Sequence, residues 1–155
     1  MSIEEDIAFL SQVPTLNLLG RDALRILAIG CESRYLRAGE LLFGLGDMSD
    51  AGFVVQEGQI KLVLGRDSGS HELHAGPGTL LGETALLVET RRPGTAMAVE
   101  ETTVLRISRS LFLKTMEGFP DAAARLRDMI AARTATASRD IGDVAGLLGK
   151  FDEID

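Results

Sequence analysis

The 155-residue chain has no tryptophan, one cysteine, four prolines and only 5% aromatic residues. With Cys31 alone, an internal disulfide and a multi-cysteine metal centre are both excluded. Cys31 closes an apolar helical segment, where a buried, inert thiol is the expected state rather than a redox centre. Long apolar runs are also missing, and none approaches the ~20 residues that span a bilayer. The start, Met1-Ser2-Ile3-Glu4-Glu5-Asp6, is acidic and lacks the apolar core of a signal peptide. The expected location is therefore the cytoplasm, with no membrane partner. No run of Lys or Arg is present either. At a net charge of −7, most faces would repel a nucleic-acid backbone, which argues against nonspecific binding to it.

What the chain does have is glycine, 17 residues of it, within an otherwise ordinary composition of 45% hydrophobic and 25% charged residues. This length suits one domain with a real core and is too short for two. Much glycine with few aromatics suits a turn-rich β architecture better than a helical bundle.

Helical patterns frame the chain. Ser2-Ile3-Glu4-Glu5 has the form of a capping box, predicting a short helix with Ile7 and Leu10 on one side, ending before Pro14. Leu16, Leu18 and Leu19 form a compact apolar turn. Leu24, Ile26, Leu27 and Ile29 then recur with helical spacing up to Gly30, as packing for a sheet. From Tyr35 to Ile107 the pattern is short, partly alternating runs punctuated by glycine: Tyr35-Leu36, Leu41–Phe43, Phe53–Val55, Gln59–Leu64, His71–Leu73, Gly94–Val99 and Thr102–Ile107. These predict an antiparallel sandwich or barrel, with Glu57-Gly58 as a tight hairpin turn and Gly58 at positive φ. After it, Ser108 or Ser110 caps a helix ending at Gly118, and Pro120 opens another. Ile130, Thr134, Ala137, Ile141, Val144 and Leu148 step by 4, 3, 4, 3, 4, a heptad rhythm that predicts pairing into a homodimer. The alternative is that this helix folds back on the sheet. The acidic tail 150–155 is expected to be mobile.

Between two of the predicted strands lies Gly82-Glu83-Thr84-Ala85-Leu86-Leu87, predicted to open a short helix at Glu83–Val88 and followed by Thr90-Arg91-Arg92. A Gly-Glu pair at a helix start offers N–H groups to an anion and a carboxylate to a hydroxyl, and a later arginine can turn back onto the same anion. The combination suits a ligand with a phosphate and a sugar. Taken singly, Glu83 could cap a turn and Arg92 could be a solvated loop charge.

Three stretches resemble the cyclic-nucleotide-binding domain family of catabolite-activator-type bacterial regulators, cyclic-nucleotide-dependent kinases and gated channels. They are Arg37–Phe43 with Gly46-Asp47 and Asp50, then Phe53–Leu62, and then Leu81–Leu87 with Arg92. The resemblance covers nearly the whole chain. It implies a mainly β fold with flanking helices: a jelly-roll β-roll at 35–107 with a phosphate-binding cassette at 81–96, N-terminal helices at 1–34 and two C-terminal helices at 108–149, together one domain spanning 1–155. The implied ligand-binding set is Gly82, Glu83, Thr84, Ala85, Arg92, Pro93, Thr95, Thr136 and Ser138. In it Glu83 accepts from a ribose 2′-hydroxyl, with Gly82 beside it. Arg92 and the N–H of Ala85 meet the phosphate, and Thr136 or Ser138 meets the base.

Pro93 departs from the family, which usually has a small residue with a free N–H there. The missing hydrogen bond is worth about 0.5–1.5 kcal/mol. The absence of the threonine found in cGMP-preferring members leans the expectation to cAMP, with cGMP the other candidate. Thr95 is a further hydroxyl nearby.

The resemblance implies a non-enzymatic sensor that signals to a protein effector. No helix-turn-helix segment follows the long helix, so direct operator binding is not expected. Two other readings compete. Pro93 favours a degenerate fold that binds no nucleotide and serves as a dimerisation or docking module. The other is a cupin-like metalloenzyme using His71 and His74, which their three-residue separation on a strand disfavours.

Overall fold

A computed structural model describes residues 2–65 and 71–139, with side chains as far as Arg133 in the second stretch. Helix α1 (Ile3–Leu10) begins where Ser2 Oγ accepts a hydrogen bond from the Glu5 N–H at 3.1 Å. Glu4, Glu5 and Asp6 fill its first turn, where the helix dipole favours carboxylates. Ile7 and Leu10 are buried, as their spacing predicts. After a 3₁₀ turn (Leu16–Leu18), helix α2 (Arg21–Gly30) buries Ala23, Leu24, Leu27 and Ala28. Ile26 and Ile29, expected to pack with them, are 42% and 59% exposed. At 100° per residue, positions 23, 24, 27 and 28 share one face and turn 26 and 29 away from it.

Among the described residues eight strands follow: β1 (Glu32–Leu36), β2 (Leu41–Phe43), β3 (Ala51–Glu57), β4 (Ile60–Leu64), β5 (Glu72–Ala75), β6 (Leu80–Leu81), β7 (Gly94–Ala98) and β8 (Thr102–Ser108). They form two antiparallel four-stranded sheets, ordered β1-β8-β3-β6 and β2-β7-β4-β5. The predicted jelly-roll architecture with helices at both ends is thus present. The β region starts at Glu32, ahead of the expected Tyr35, because β1 is exposed through Tyr35 and carries no apolar alternation.

The expected hairpin at Glu57-Gly58 is a correction. Gly58 does have positive φ, at 88°. However, β3 pairs with β6 and β8 whereas β4 pairs with β5 and β7, so this turn carries the chain from one sheet to the other. A Cβ at Gly58 would lie 2.4 Å from Glu101 O, and the Thr102 hydroxyl meets both the N–H and the carbonyl of Gln59 at 3.1 Å. The turn is locked onto the β7–β8 connection, which no local pattern announces.

Two cores result. Leu36, Leu42, Ala51, Phe53, Val55, Ile60, Ala96 and Val104 fill the space between the sheets. Val54, Leu105 and Ile107, on the opposite face of the first sheet, meet the helices through Leu10, Leu24, Leu27 and Phe112. Strand β3 is buried on both faces by this division.

Helix α3 (Arg109–Gly118) is capped by Ser108, whose Oγ accepts from the Leu111 N–H at 3.1 Å, so Ser108 and not Ser110 is the cap. Pro120 opens α4 (Pro120–Arg139), as its fixed φ suits. Ile130, first in the heptad seam, packs on the chain's own helical core. The side chains of Thr134 and Ala137, and all of residues 141, 144 and 148 with the tail 150–155, lie outside the described residues. No helix among the described residues is long and apolar enough to cross a membrane.

Candidate functional site

The segment between β6 and β7 lies against β3 and the start of α3. Its helical part is shorter than the expected Glu83–Val88: a 3₁₀ turn over Thr84–Leu86, with Glu83 at its N-terminal boundary. Leu86 anchors it in the helix-side core, 1% exposed. Gly82, immediately before it, has φ 80°, and a Cβ there would lie 2.6 Å from Arg92 Nη1. Only glycine lets the backbone approach the guanidinium so closely.

Arg92 is held at every level. Its N–H donates to Asp47 O at 2.8 Å, and its carbonyl accepts from the Gly46 N–H at 3.0 Å. The side chain is 3% exposed, with Nη2 donating to Ala51 O at 2.7 Å. The guanidinium carbon lies 4.4 Å from the Phe43 ring centroid and 5.5 Å from that of Phe53. Cation–π contact of a desolvated guanidinium contributes about 2 kcal/mol. The alternative of a solvated loop charge is therefore wrong. A buried cation beside a left-handed glycine is chemically suited to an oxyanion.

Glu83 is 27% exposed at its side chain and occupied at both oxygens. The Thr15 hydroxyl donates to Oε2 and Arg133 Nη2, from α4, donates to Oε1. Its carboxylate therefore joins the N-terminal segment, the cassette and the C-terminal helix.

The remaining sequence-derived residues fall as follows. The Ala85 N–H, expected to meet a phosphate, donates to Gly82 O at 3.1 Å. Thr84 is half-buried at the start of the 3₁₀ turn. Pro93 is buried, with its carbonyl accepting from the Gly65 N–H at 3.3 Å. Thr95 Oγ1 accepts from the Leu45 N–H at 3.2 Å, tying β7 to the β2–β3 loop. Thr136 and Ser138 belong to the last turns of α4, and their side chains lie outside the described residues.

Sequence reasoning missed four residues that shape the site: Thr15, Phe43, Arg109 and Arg133. Arg109, at the base of α3, donates from Nε to Ala85 O at 2.9 Å and from Nη2 to Ser49 O at 2.5 Å. Ser49 is 1% exposed, and its Oγ accepts from the Thr90 N–H at 3.1 Å. This chain of bonds grips the cassette at both ends. Phe43 alone stood in a resembling stretch, so it could have been found there.

Among the described residues no group of three or more His, Cys, Asp or Glu is placed to hold an ion; His74 Nε2 lies 3.5 Å from Glu72 Oε1.

An antiparallel roll closed by helices, with a Gly-Glu turn against a buried arginine between two of its strands, defines a jelly-roll domain. Residues 33–119 match the cyclic nucleotide-binding domain family, and the chain belongs to that family. It is similar to the lysophospholipase NTE1 of Chaetomium globosum, with 32% identity over 133 residues, 84% of this chain and 9% of that protein. It is also similar to the cyclic AMP receptor protein of Thermus thermophilus, with 31% identity over 112 residues, 71% of this chain and 52% of that one. Among solved structures it resembles a cyclic nucleotide-binding-like protein from Brucella abortus, with a TM-score of 0.65 and 39% identity, covering 73% of this chain and 98% of that one. The chain thus spans only a small part of the first relative and about half of the second.

Proposed function

We propose that residues 1–155 form one cyclic-nucleotide-binding regulatory domain that performs no catalysis, prefers cAMP over cGMP and passes its state to a protein effector in the cytoplasm. The observation that carries this reading is the buried Arg92 guanidinium pressed against Gly82, with the Glu83 carboxylate on the adjoining residue. A cation and a carboxylate so placed suit a phosphate and a sugar hydroxyl on one ligand. Pro93 supplies neither N–H nor hydroxyl to the phosphate side, which favours cAMP and modest affinity. The similarity to a cyclic AMP receptor protein supports the same choice. On binding, α4 closes onto the ligand, and pairing of two copies along α4 carries the signal outward.

Titration calorimetry with cAMP and cGMP tests this. Saturable cAMP heat that disappears in Arg92→Ala is expected. No heat above background at millimolar nucleotide would refute it. Hydrogen exchange in α4 that is unchanged by bound nucleotide would remove the closing motion.

One observation favours a second reading. The Ala85 N–H is spent on Gly82 O and would have to be released to meet a phosphate, and Pro93 has no N–H to give at all. A domain using this fold only for docking would give the silent titration.

A further inference from the structure

We propose that Thr15 is a specificity-determining residue: its hydroxyl occupies the Glu83 oxygen that a ligand's sugar hydroxyl would take, so a ribose competes with it there. The inference rests on reading Glu83 as the sugar acceptor.

Three observations carry it. First, Thr15 is the one non-glycine residue with positive φ among the described residues, at φ 77° and ψ −53°. These are the dihedrals of the rare γ-turn, and a β-branched side chain suits them poorly. A backbone kept in such a conformation needs a restraint from outside its own segment. Second, Thr15 stands at the N-cap of the 3₁₀ turn Leu16–Leu18, yet its side chain makes no capping bond. A threonine in that position ordinarily spends its hydroxyl on the turn that follows. Here the hydroxyl reaches across 68 residues of sequence to Glu83 Oε2 instead. Third, Thr15 is only 9% exposed, so the donor's end of the contact is largely removed from solvent.

The other oxygen of Glu83 is taken by Arg133. Arg125, two turns earlier on α4, donates to Leu18 O at 2.5 Å and Leu19 O at 3.2 Å. Helix α4 and the segment around Thr15 are therefore tied both directly and through the carboxylate. A sugar hydroxyl arriving at Oε2 leaves Arg133 in place, because its bond is charge-assisted and lies on the other oxygen. Thr15 is different. It is a neutral donor in a strained backbone, and it is the group the ribose replaces. A nucleotide lacking the 2′-hydroxyl has no reason to displace it.

The test is calorimetric binding of cAMP and 2′-deoxy-cAMP to the full chain, to Thr15→Val and to Thr15→Gly. Valine keeps the shape and removes the hydroxyl. Glycine adopts the positive φ freely, so it guards against misfolding. Removing one competing hydrogen bond should tighten cAMP binding about three- to tenfold in both variants and change 2′-deoxy-cAMP by less than about twofold. Equal changes for the two nucleotides, or weaker cAMP binding, would overturn the role of Thr15 while leaving nucleotide binding intact. Binding of neither nucleotide by any of the three proteins would overturn the nucleotide reading and this inference together.

Discussion

Replacing Gly82 by alanine tests the joint on which the cassette turns. The structure assigns the substitution two separable costs. The first is conformational: at φ 80° an L-residue loses about 1–2 kcal/mol against glycine. The second is steric, because the new methyl would lie 2.6 Å from Arg92 Nη1 and 3.4 Å from Ala51 O. The guanidinium cannot step aside cheaply, being bonded to Ala51 O and stacked on Phe43. Breaking that charged hydrogen bond adds about 1.5–3 kcal/mol. The total is about 2.5–5 kcal/mol of stability, read from denaturant unfolding.

Gly78 separates the two costs. It has φ 90° but nothing within 4 Å of its virtual Cβ, so Gly78→Ala should lose the conformational part alone, about 1–2 kcal/mol. In calorimetry Gly82→Ala should also weaken cAMP binding about tenfold or more as Arg92 is displaced, and Gly78→Ala should leave it unchanged. Equal destabilisation by the two substitutions would refute the claim that Gly82 is set by its contact with Arg92.

Other outcomes follow from particular contacts. Ser108→Ala removes the α3 cap and should cost about 1 kcal/mol in the same unfolding measurement. Arg109→Met deletes the donors to Ala85 O and Ser49 O and should cost about 2–4 kcal/mol, with faster hydrogen exchange at Leu87 and Val88, whose N–H groups bond to Thr84. Burial, and after it the negative charge of Asp6, pushes the Cys31 thiol above its ordinary range. Iodoacetamide should therefore alkylate it at pH 8 at least about threefold more slowly than free cysteine. The folded state holds this proton more tightly than the unfolded chain. Its contribution to stability is accordingly present below the ordinary thiol range and lost as pH rises through the raised value.

Where local chemistry decides a feature, the sequence was legible. Ser2 and Pro120 act at their helix starts as their residue types demand, and Gly58 takes its positive φ. The roll could be anticipated from short runs punctuated by glycine. Partner choice could not: Glu57-Gly58 resembles any hairpin turn until Thr102 and Glu101, more than forty residues on, claim Gln59 and the space beside Gly58. Helix α2 shows the same limit from the other side, since four isoleucines and leucines at helical spacing do not reveal which pair meets the core. At the site, the Gly82-Glu83 and Arg92 pattern was visible as a unit. Thr15, Arg109 and Arg133 were not, because each acts through a long-range bond from a segment with no motif of its own.

The sheet order has a consequence for how the site comes into being. Strand β8 pairs with β1 and β3, and β7 with β2 and β4, so each of the two strands that follow the cassette is interior to one of the sheets. A chain emerging from the ribosome as far as residue 93 has only the neighbouring pair β4–β5 and the short β3–β6 contact to build on. Closure entropy for the long loops must be met before the large sheets reward it, which makes such folds slow to form and exposes strand edges meanwhile. The strand that leads away from Arg92, β7, is the one that joins β2 to β4 and completes the second sheet. A chain cut before β7 would complete neither sheet.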